Sequence, residues 1–189
     1  MAADDIKQRY ADLVQFFQTW IPLYLPSANL YLVGQSAPRP INPVIAFNPL
    51  SSIDYIGRDE RRVTAEGVET LRGQRTLTCD LFGFSDSSSR FDGADNAWDM
   101  LQTLRMSLGH PQVSDLLTAI NCSVVEEGTI TDISETLETT NEPRAMLQII
   151  FSTVIIQTID SGEIDTIGGA GTLTGSNSDF EVDIPVSKP

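Results

Sequence analysis

Residues 144–159 read RAMLQIIFSTVIIQTI, and this stretch decides the fold. Pro143 precedes the run, Asp160-Ser161-Gly162 follows it as a turn signal, and no glycine or proline interrupts it. β-branched residues dominate and apolar side chains recur at alternate positions, which favours a strand over a helix. One alternate set contains Ala145, Leu147, Ile149, Phe151, Thr153, Ile155 and Ile159, and the other contains Met146, Ile150, Val154 and Ile156. The stretch therefore predicts a central strand of a sheet.

This strand is longer than a small domain needs. At about 3.3 Å per residue it would approach ~50 Å, whereas most strands are about half that length or less. An exposed apolar edge of that length would promote aggregation. We therefore expect a second subunit to cover part of it, with Phe151 and Ile155 as candidate interface residues.

The N-terminal segment has the pattern of an amphipathic helix. Asp4 or Asp5 can cap it, apolar residues follow at three- and four-residue spacing, and Pro22 is expected to end it. Its apolar face either lies on the sheet or packs against a neighbouring subunit. Phe17 and Trp20 are the candidate interface residues on that face.

Two segments with poor regular patterns follow. Residues 22–50 contain six prolines, which leave room for short strands at 29–33 and 44–48 in a segment that wraps around the core. Residues 51–70 are charged and small, and the cluster around Arg58, Arg61 and Arg62 suggests either a solvated loop or edge strand, or a partner site.

The remaining elements alternate between strand and helix patterns. Residues 71–84 predict a half-exposed strand, Asp92 is a candidate cap for the next helix, and residues 112–120 predict a second one. His110 lies between these helices and is interpreted as a turn residue. Residues 122–134 suggest a strand or short hairpin, and residues 135–142 an acidic loop.

The pattern as a whole predicts an α+β fold. We expect a mostly antiparallel β-sheet packed by a long N-terminal helix and a central helix pair, in a domain of residues 1–167. Residues 168–189 are rich in glycine and serine at first and then alternate Phe180, Val182 and Ile184 with acidic residues. This is typical of a flexible C-terminal arm that adds to the sheet edge of another chain, or of an acidic tail.

Composition argues against several kinds of site. The formal charge is −14, and residues 111–189 carry thirteen acidic and two basic residues, so most of the charge lies there. Nucleic-acid binding rests on basic side chains, so we expect no sequence-specific contact with DNA. The two cysteines, Cys79 and Cys122, form no metal motif, and no spacing indicates catalytic residues or a cofactor. No signal peptide or membrane segment is predicted, so we expect a cytoplasmic protein.

One stretch resembles a known family. Residues 73–83, GQRTLTCDLFG, form a polar strand that ends in Asp, Leu, Phe and Gly, and Asn96-Ala97-Trp98 then opens a helix. This order is similar to the strand–turn–helix signature of tailed-bacteriophage neck or tail terminator proteins. Glu142-Pro143-Arg144 before the long strand resembles the final β element of the same family, and the likeness covers about residues 5–160.

The resemblance implies a structural virion protein in the tail or neck, assembled in the host cytoplasm. Its copies would form a ring, commonly a hexamer, that caps the tail tube and joins it to a head-side connector or stopper. The tail tube protein and, in a contractile tail, the sheath would be partners, and DNA would only pass through the lumen. Alternatives are another head–tail connector, a tail-tube subunit, or an acidic α+β enzyme or ligand-binding domain.

Overall fold

The computed structural model describes residues 2–63, 68–86, 96–137 and 140–160, and these confirm the α+β fold. The elements in chain order are α1 (Ala2–Tyr24), β1 (Asn29–Leu32), β2 (Val44–Val63), β3 (Val68–Phe84), α2 (Ala97–Ser107), α3 (Pro111–Ala119), β4 (Cys122–Glu127), β5 (Thr131–Asp132), β6 (Glu135–Leu137), β7 (Thr140–Glu142) and β8 (Arg144–Asp160).

The main sheet has the order β1-β2-β3-β8-β4, with β5 also pairing with β8. Strand β1 runs parallel to β2, and every other described pair in this sheet is antiparallel. Strands β6 and β7 form a separate two-stranded sheet. The long strand β8 is central, as predicted, and it pairs with β3 without a register shift from Val68↔Asp160 to Phe84↔Arg144.

One face of β8 is buried and the other is not. Ala145, Leu147, Ile149, Phe151 and Thr153 are each 2% exposed or less, whereas the alternate residues from Met146 to Ile156 are half-buried or exposed. Because strand side chains alternate between faces, one side of β8 faces the helices and forms the core. The other side carries polar cross-strand bonds, such as that from Gln148 Nε2 to Asp80 Oδ1 at 3.0 Å.

Helix α1 supplies the aromatic centre of the core. Phe17 packs 5.4 Å from Phe47 of β2 and 6.3 Å from Phe151 of β8, measured between ring centroids. Trp20 is fully buried, and its Nε1 donates to Ser107 Oγ of α2 at 2.8 Å. Helices α2 and α3 complete the layer with Met100, Leu101, Leu104, Val113 and Leu117, all buried.

The sequence predicted that α1 would end at Pro22, but the helix continues to Tyr24. The proline lies in the last turn, where it removes one backbone donor but does not break a long helix. Leu25 N–H still donates to Ile21 O at 2.8 Å, and both residues are buried. Core packing therefore outweighs the local cost of the proline.

The strand predicted at 44–48 is confirmed, but it is longer than expected and does not wrap around the core. It continues as β2 to Val63, so of the two forms predicted for the charged segment the edge strand is correct, and Ile45 and Phe47 are buried in the core. Register shifts between Asn48 and Ser52 and between Ile56 and Glu60 let the charged part stay in the sheet as an edge strand.

Of the two forms predicted for residues 122–134, the strand is confirmed and the hairpin is not, since β4 and β5 each pair with β8. Two smaller predictions change. Residues 135–142 contain the paired strands β6 and β7. The cap of α2 is Asn96, which accepts from Trp98 N at 3.0 Å, whereas the predicted cap Asp92 lies outside the described residues.

Phe151→Ala should lower the free energy of unfolding by about 3–5 kcal/mol, because it leaves a cavity where α1 meets β8. Met106→Ala is the control, since Met106 is 70% exposed and a surface change of this kind costs less than about 0.5 kcal/mol. Urea unfolding followed by circular dichroism measures both. Equal stability of the two variants would contradict this description of the core.

Candidate subunit interface

Three strands extend into a part of the sheet that we call the arm, made of residues 54–63 of β2, 68–76 of β3 and 152–160 of β8. It is distinct from residues 168–189, the predicted C-terminal arm. Apolar side chains are exposed on each of its two faces. Tyr55 and Val63 lie on the face that elsewhere packs against the helices, and they are 72% and 60% exposed. Ile56 and Ile156 lie on the opposite face and are 43% and 55% exposed. The arm therefore presents apolar surface that the described part of the chain does not cover.

One edge of β8 is open in the arm. Strand β4 pairs with β8 from Thr153 back to Ile149, and β5 pairs with Met146 and Ala145. No described strand pairs with residues 154–160 on that side. The cause is local: the chain leaves α3 through Asn121, whose φ is 54°, and β4 begins only at Cys122, opposite Thr153. Thr153 Oγ1 donates to Asn121 O at 3.0 Å and fixes this turn at the start of the open edge.

The edge of β2 is open as well, but its chemistry differs. Strand β1 pairs only with residues 44–47 of β2, so no described strand covers the arm part of β2 on its outer side. This part contains a register shift at Gly57, whose φ is +72°, and the charged run from Arg58 to Arg62. Bulges and charges of this kind prevent edge-to-edge pairing in natural sheets.

An ion pair between the buried Arg75 and the exposed Asp59 joins β3 to β2 where the arm leaves the core. Arg75 is 6% exposed, its Nη2 lies 2.7 Å from Asp59 Oδ2, and its guanidinium stacks over the Tyr55 ring at 3.9 Å. The hydrogen bond from Arg75 lowers the pKa of Asp59, and the same bond raises the pKa of Arg75. Gly73 makes room for the pair, because a Cβ there would collide with Asp59 Oδ1.

A cleft of about 480 Å³ lies against the open edge of β8. Arg9 of α1 and Arg72 of β3 line it, and it contains no acidic lining residue. Arg9 Nη1 donates to Ile120 O at 2.8 Å, whereas its buried Nε has no hydrogen-bond partner among the described residues. The other lining residues are Thr118, Asn121, Cys122, Ser123, Val154 and Ile156. The cleft thus combines positive charge with the apolar edge of β8.

The residues predicted for an interface separate into three groups. Phe17, Trp20 and Phe151 are fully buried in the chain's own core, which corrects their choice as interface residues. Ile155 is 9% exposed on the helix-side face of β8, and Arg58, Arg61 and Arg62 are exposed on β2. Phe180, Val182 and Ile184 lie outside the described residues.

Sequence reasoning missed the residues that give the arm its character. Ile156 was assigned to the strand but not to the interface, and Arg9 and Arg72 line one cleft only because the fold places α1 and β3 beside the open edge of β8. The pair of Arg75 and Asp59 joins residues on two strands across a register shift. Alternation in the sequence could have indicated Ile156, but no local pattern could have indicated the other contacts.

Groups with chemical reactivity are sparse in the described part of the chain. It contains no cluster of three or more His, Cys, Asp and Glu residues suited to a metal. His110 directly precedes α3, and its Nδ1 lies 3.1 Å from Tyr24 Oη. Burial raises the pKa of both the Cys79 and the Cys122 thiols, so they stay protonated. None of the described helices combines the length and the apolar character that crossing a membrane requires.

Comparison with known proteins identifies one family. A family model described as "Phage neck terminator protein" matches residues 11–177, which is most of the chain. The match includes α1 from its third turn, the whole main sheet and both central helices. It confirms the predicted resemblance to phage neck or tail terminator proteins. No curated protein matches this chain.

Arg75→Met should raise the pKa of Asp59 toward the ordinary value of about 3.9, because the guanidinium that holds it down is removed. NMR titration of the Asp59 carboxyl carbon measures this change. The stabilisation from the pair is present above the ordinary pKa and is lost as pH falls through the lowered pKa, so wild type should lose more stability than the variant below pH ~4. Arg72→Met is the control, since Arg72 lies on the other face of β3. An Asp59 pKa that is the same in wild type and in Arg75→Met would contradict the ion pair.

Proposed function

The chain belongs to the phage neck terminator protein family, and we propose that its copies assemble into a ring that closes the tail tube and joins the tail to the head. The family match supports a structural role in the neck or tail of the virion. The ring, the hexameric stoichiometry, and the contacts with tail tube protein and head-side connector or stopper are our proposals. In a contractile tail, the sheath would be a further partner. We also propose that assembly takes place in the host cytoplasm and that the protein acts without catalysis.

The observation that carries the ring proposal is the arm. In a monomer the three long strands leave Tyr55, Ile56, Val63 and Ile156 exposed to water, so these side chains add no buried apolar surface to stabilise the fold. Exposed apolar surface next to open strand edges is typical of a surface that binds another protein. The match of the family model to the whole described sheet indicates that the arm is part of the family fold.

The geometry of the arm favours a ring over a symmetric pair. The open edge of β8 is apolar and basic, and the edge of β2 is bulged and charged, so the two edges are not complementary to themselves. A contact between two different surfaces is heterologous, and repeated heterologous contacts close into a ring when the rotation allows it. The arm of each copy would then lie against the next copy.

The charge of the chain fits a passage for DNA. A net charge of −14 would repel the phosphate backbone from the inner wall of a ring, so that DNA passes without binding. The acidic part of the chain, residues 111–189, would contribute most to such a wall.

The purified chain should form a ring, and Ile156→Glu should break it into smaller species, because a carboxylate would be buried at the contact. Native mass spectrometry gives the number of copies. Met106→Glu is the control, since Met106 is exposed on α2 and outside the arm. A wild-type monomer would contradict the ring, and a ring broken by Met106→Glu but not by Ile156→Glu would contradict the arm as the contact.

Electron microscopy of purified tails separates this function from its nearest alternatives. With an antibody against the chain, label should appear only at the head-proximal end of the tail tube. Label along the whole tube would indicate a tail-tube subunit instead.

The chain should not retain linear duplex DNA in a filter-binding assay at about 0.15 M salt, since it neutralises few phosphates. A complex that forms at this salt and weakens steeply as salt rises would contradict the proposal that DNA only passes through.

A further inference from the structure

We infer that the open edge of β8 binds residues 180–184 of a neighbouring copy, which add to the sheet as an extra strand. This inference rests on the proposed ring and names the contact that links its subunits. Strand addition to a sheet edge combines main-chain hydrogen bonds with pockets for alternate side chains, and the β8 edge and its cleft offer both.

The two open edges of the arm are not equivalent. The β8 edge carries Val154, Ile155 and Ile156 in an unbroken register with β3, and its single charged residue, Asp160, lies at the end of the strand. The β2 edge has a bulge and five consecutive charged residues from Arg58 to Arg62. Natural sheets use bulges and charges like those of the β2 edge to protect an edge that must stay unpaired. The β8 edge has no such protection, which indicates that it is paired in the assembled state.

Charge selects the strand that pairs there. Arg9 and Arg72 line the cleft beside the β8 edge; Arg9 Nη1 already lies 3.6 Å from Asp12 Oδ2, so the exposed Arg72 is the cation that an incoming strand would meet. Residues 54–63 of the β2 edge carry three arginines and three acidic residues, so this edge of another copy would bring no net negative charge. Residues 180–184, Phe-Glu-Val-Asp-Ile, bring Glu181 and Asp183 instead. Opposite charges favour this segment over β2 as the occupant.

The side-chain pattern of the segment also fits. A strand added beside β8 places alternate residues on the two faces of the sheet. In the register that matches the faces, Phe180, Val182 and Ile184 would continue the apolar helix-side row that ends at Ile155. Glu181 and Asp183 would then lie on the face of Arg72. Pro185 lacks a backbone donor and would end the added strand.

The length of chain before the segment favours a neighbour over the same chain. Strand β8 ends at Asp160, and a hairpin back onto its own edge would need only two to five residues. Residues 161–179 could span roughly 65 Å when extended, enough to reach an adjacent subunit. Several glycines lie in this stretch, including Gly168, Gly169 and Gly171, and such a composition suits a connection between subunits.

Hydrogen exchange of the full-length oligomer tests the inference. Amides in residues 154–160 that point away from β3 should be protected in wild type and should exchange at least tenfold faster in Val182→Pro, because proline cannot donate to the ladder. Ser187→Pro lies beyond the segment and should leave protection unchanged. Native mass spectrometry of the same samples reports the ring independently.

A mixing experiment shows whether the added strand comes from a neighbouring copy or from the same chain. Rings are assembled from ¹⁵N-labelled Val182→Pro chains with an excess of unlabelled wild type, and exchange is read on the labelled chains. Protection of their residues 154–160 supports binding of a neighbour's segment, and fast exchange overturns it in favour of the chain's own segment. A ring whose protection is unaffected by Val182→Pro overturns the inference but leaves the proposed function intact, whereas a wild-type monomer overturns both.

Discussion

The pairing of β3 with β8 is the constraint on which the rest of the structure depends. The two strands keep one register along the whole of β8, so every core residue of one strand faces a core residue of the other. A slip of β8 by one residue against β3 would turn Leu147, Ile149 and Phe151 away from the helices together, because strand side chains alternate. The aromatic contacts of α1 with Phe151 and Phe47 hold this register from the helix side. The same unbroken pairing carries both strands beyond the helices and creates the arm.

The elements predicted correctly share one property: their pattern is local. Residues 144–159 form a strand pattern that no glycine or proline interrupts, and the apolar stripes of α1 and α2 follow helical spacing over several turns. For residues 51–63 the sequence left a loop and an edge strand open, because charges and small residues are typical of loops. They form a strand because β3 pairs with them across two register shifts, and the partners of Ser52 and Ile56 lie 26 and 18 positions further along the chain.

The candidate interface was harder to predict than the fold, for a physical reason. An apolar stripe in a sequence is the same whether its partner is the chain's own sheet or another subunit, so Phe17, Trp20 and Phe151 could not be distinguished from surface residues. The structure separates them by burial. The features that remain exposed, Ile156 and the arginines Arg9 and Arg72 of the cleft, come together only through tertiary contacts.

Strand β4 begins opposite Thr153 and therefore leaves residues 154–160 of β8 uncovered, and we propose that another copy completes this edge. A cryo-EM map of the assembled oligomer tests this most directly. It should show backbone density about 4.8 Å from residues 154–160 of β8, on the side away from β3, that belongs to a neighbouring subunit. A closed ring in which this edge faces solvent, with the subunits joined through other surfaces, would contradict the account.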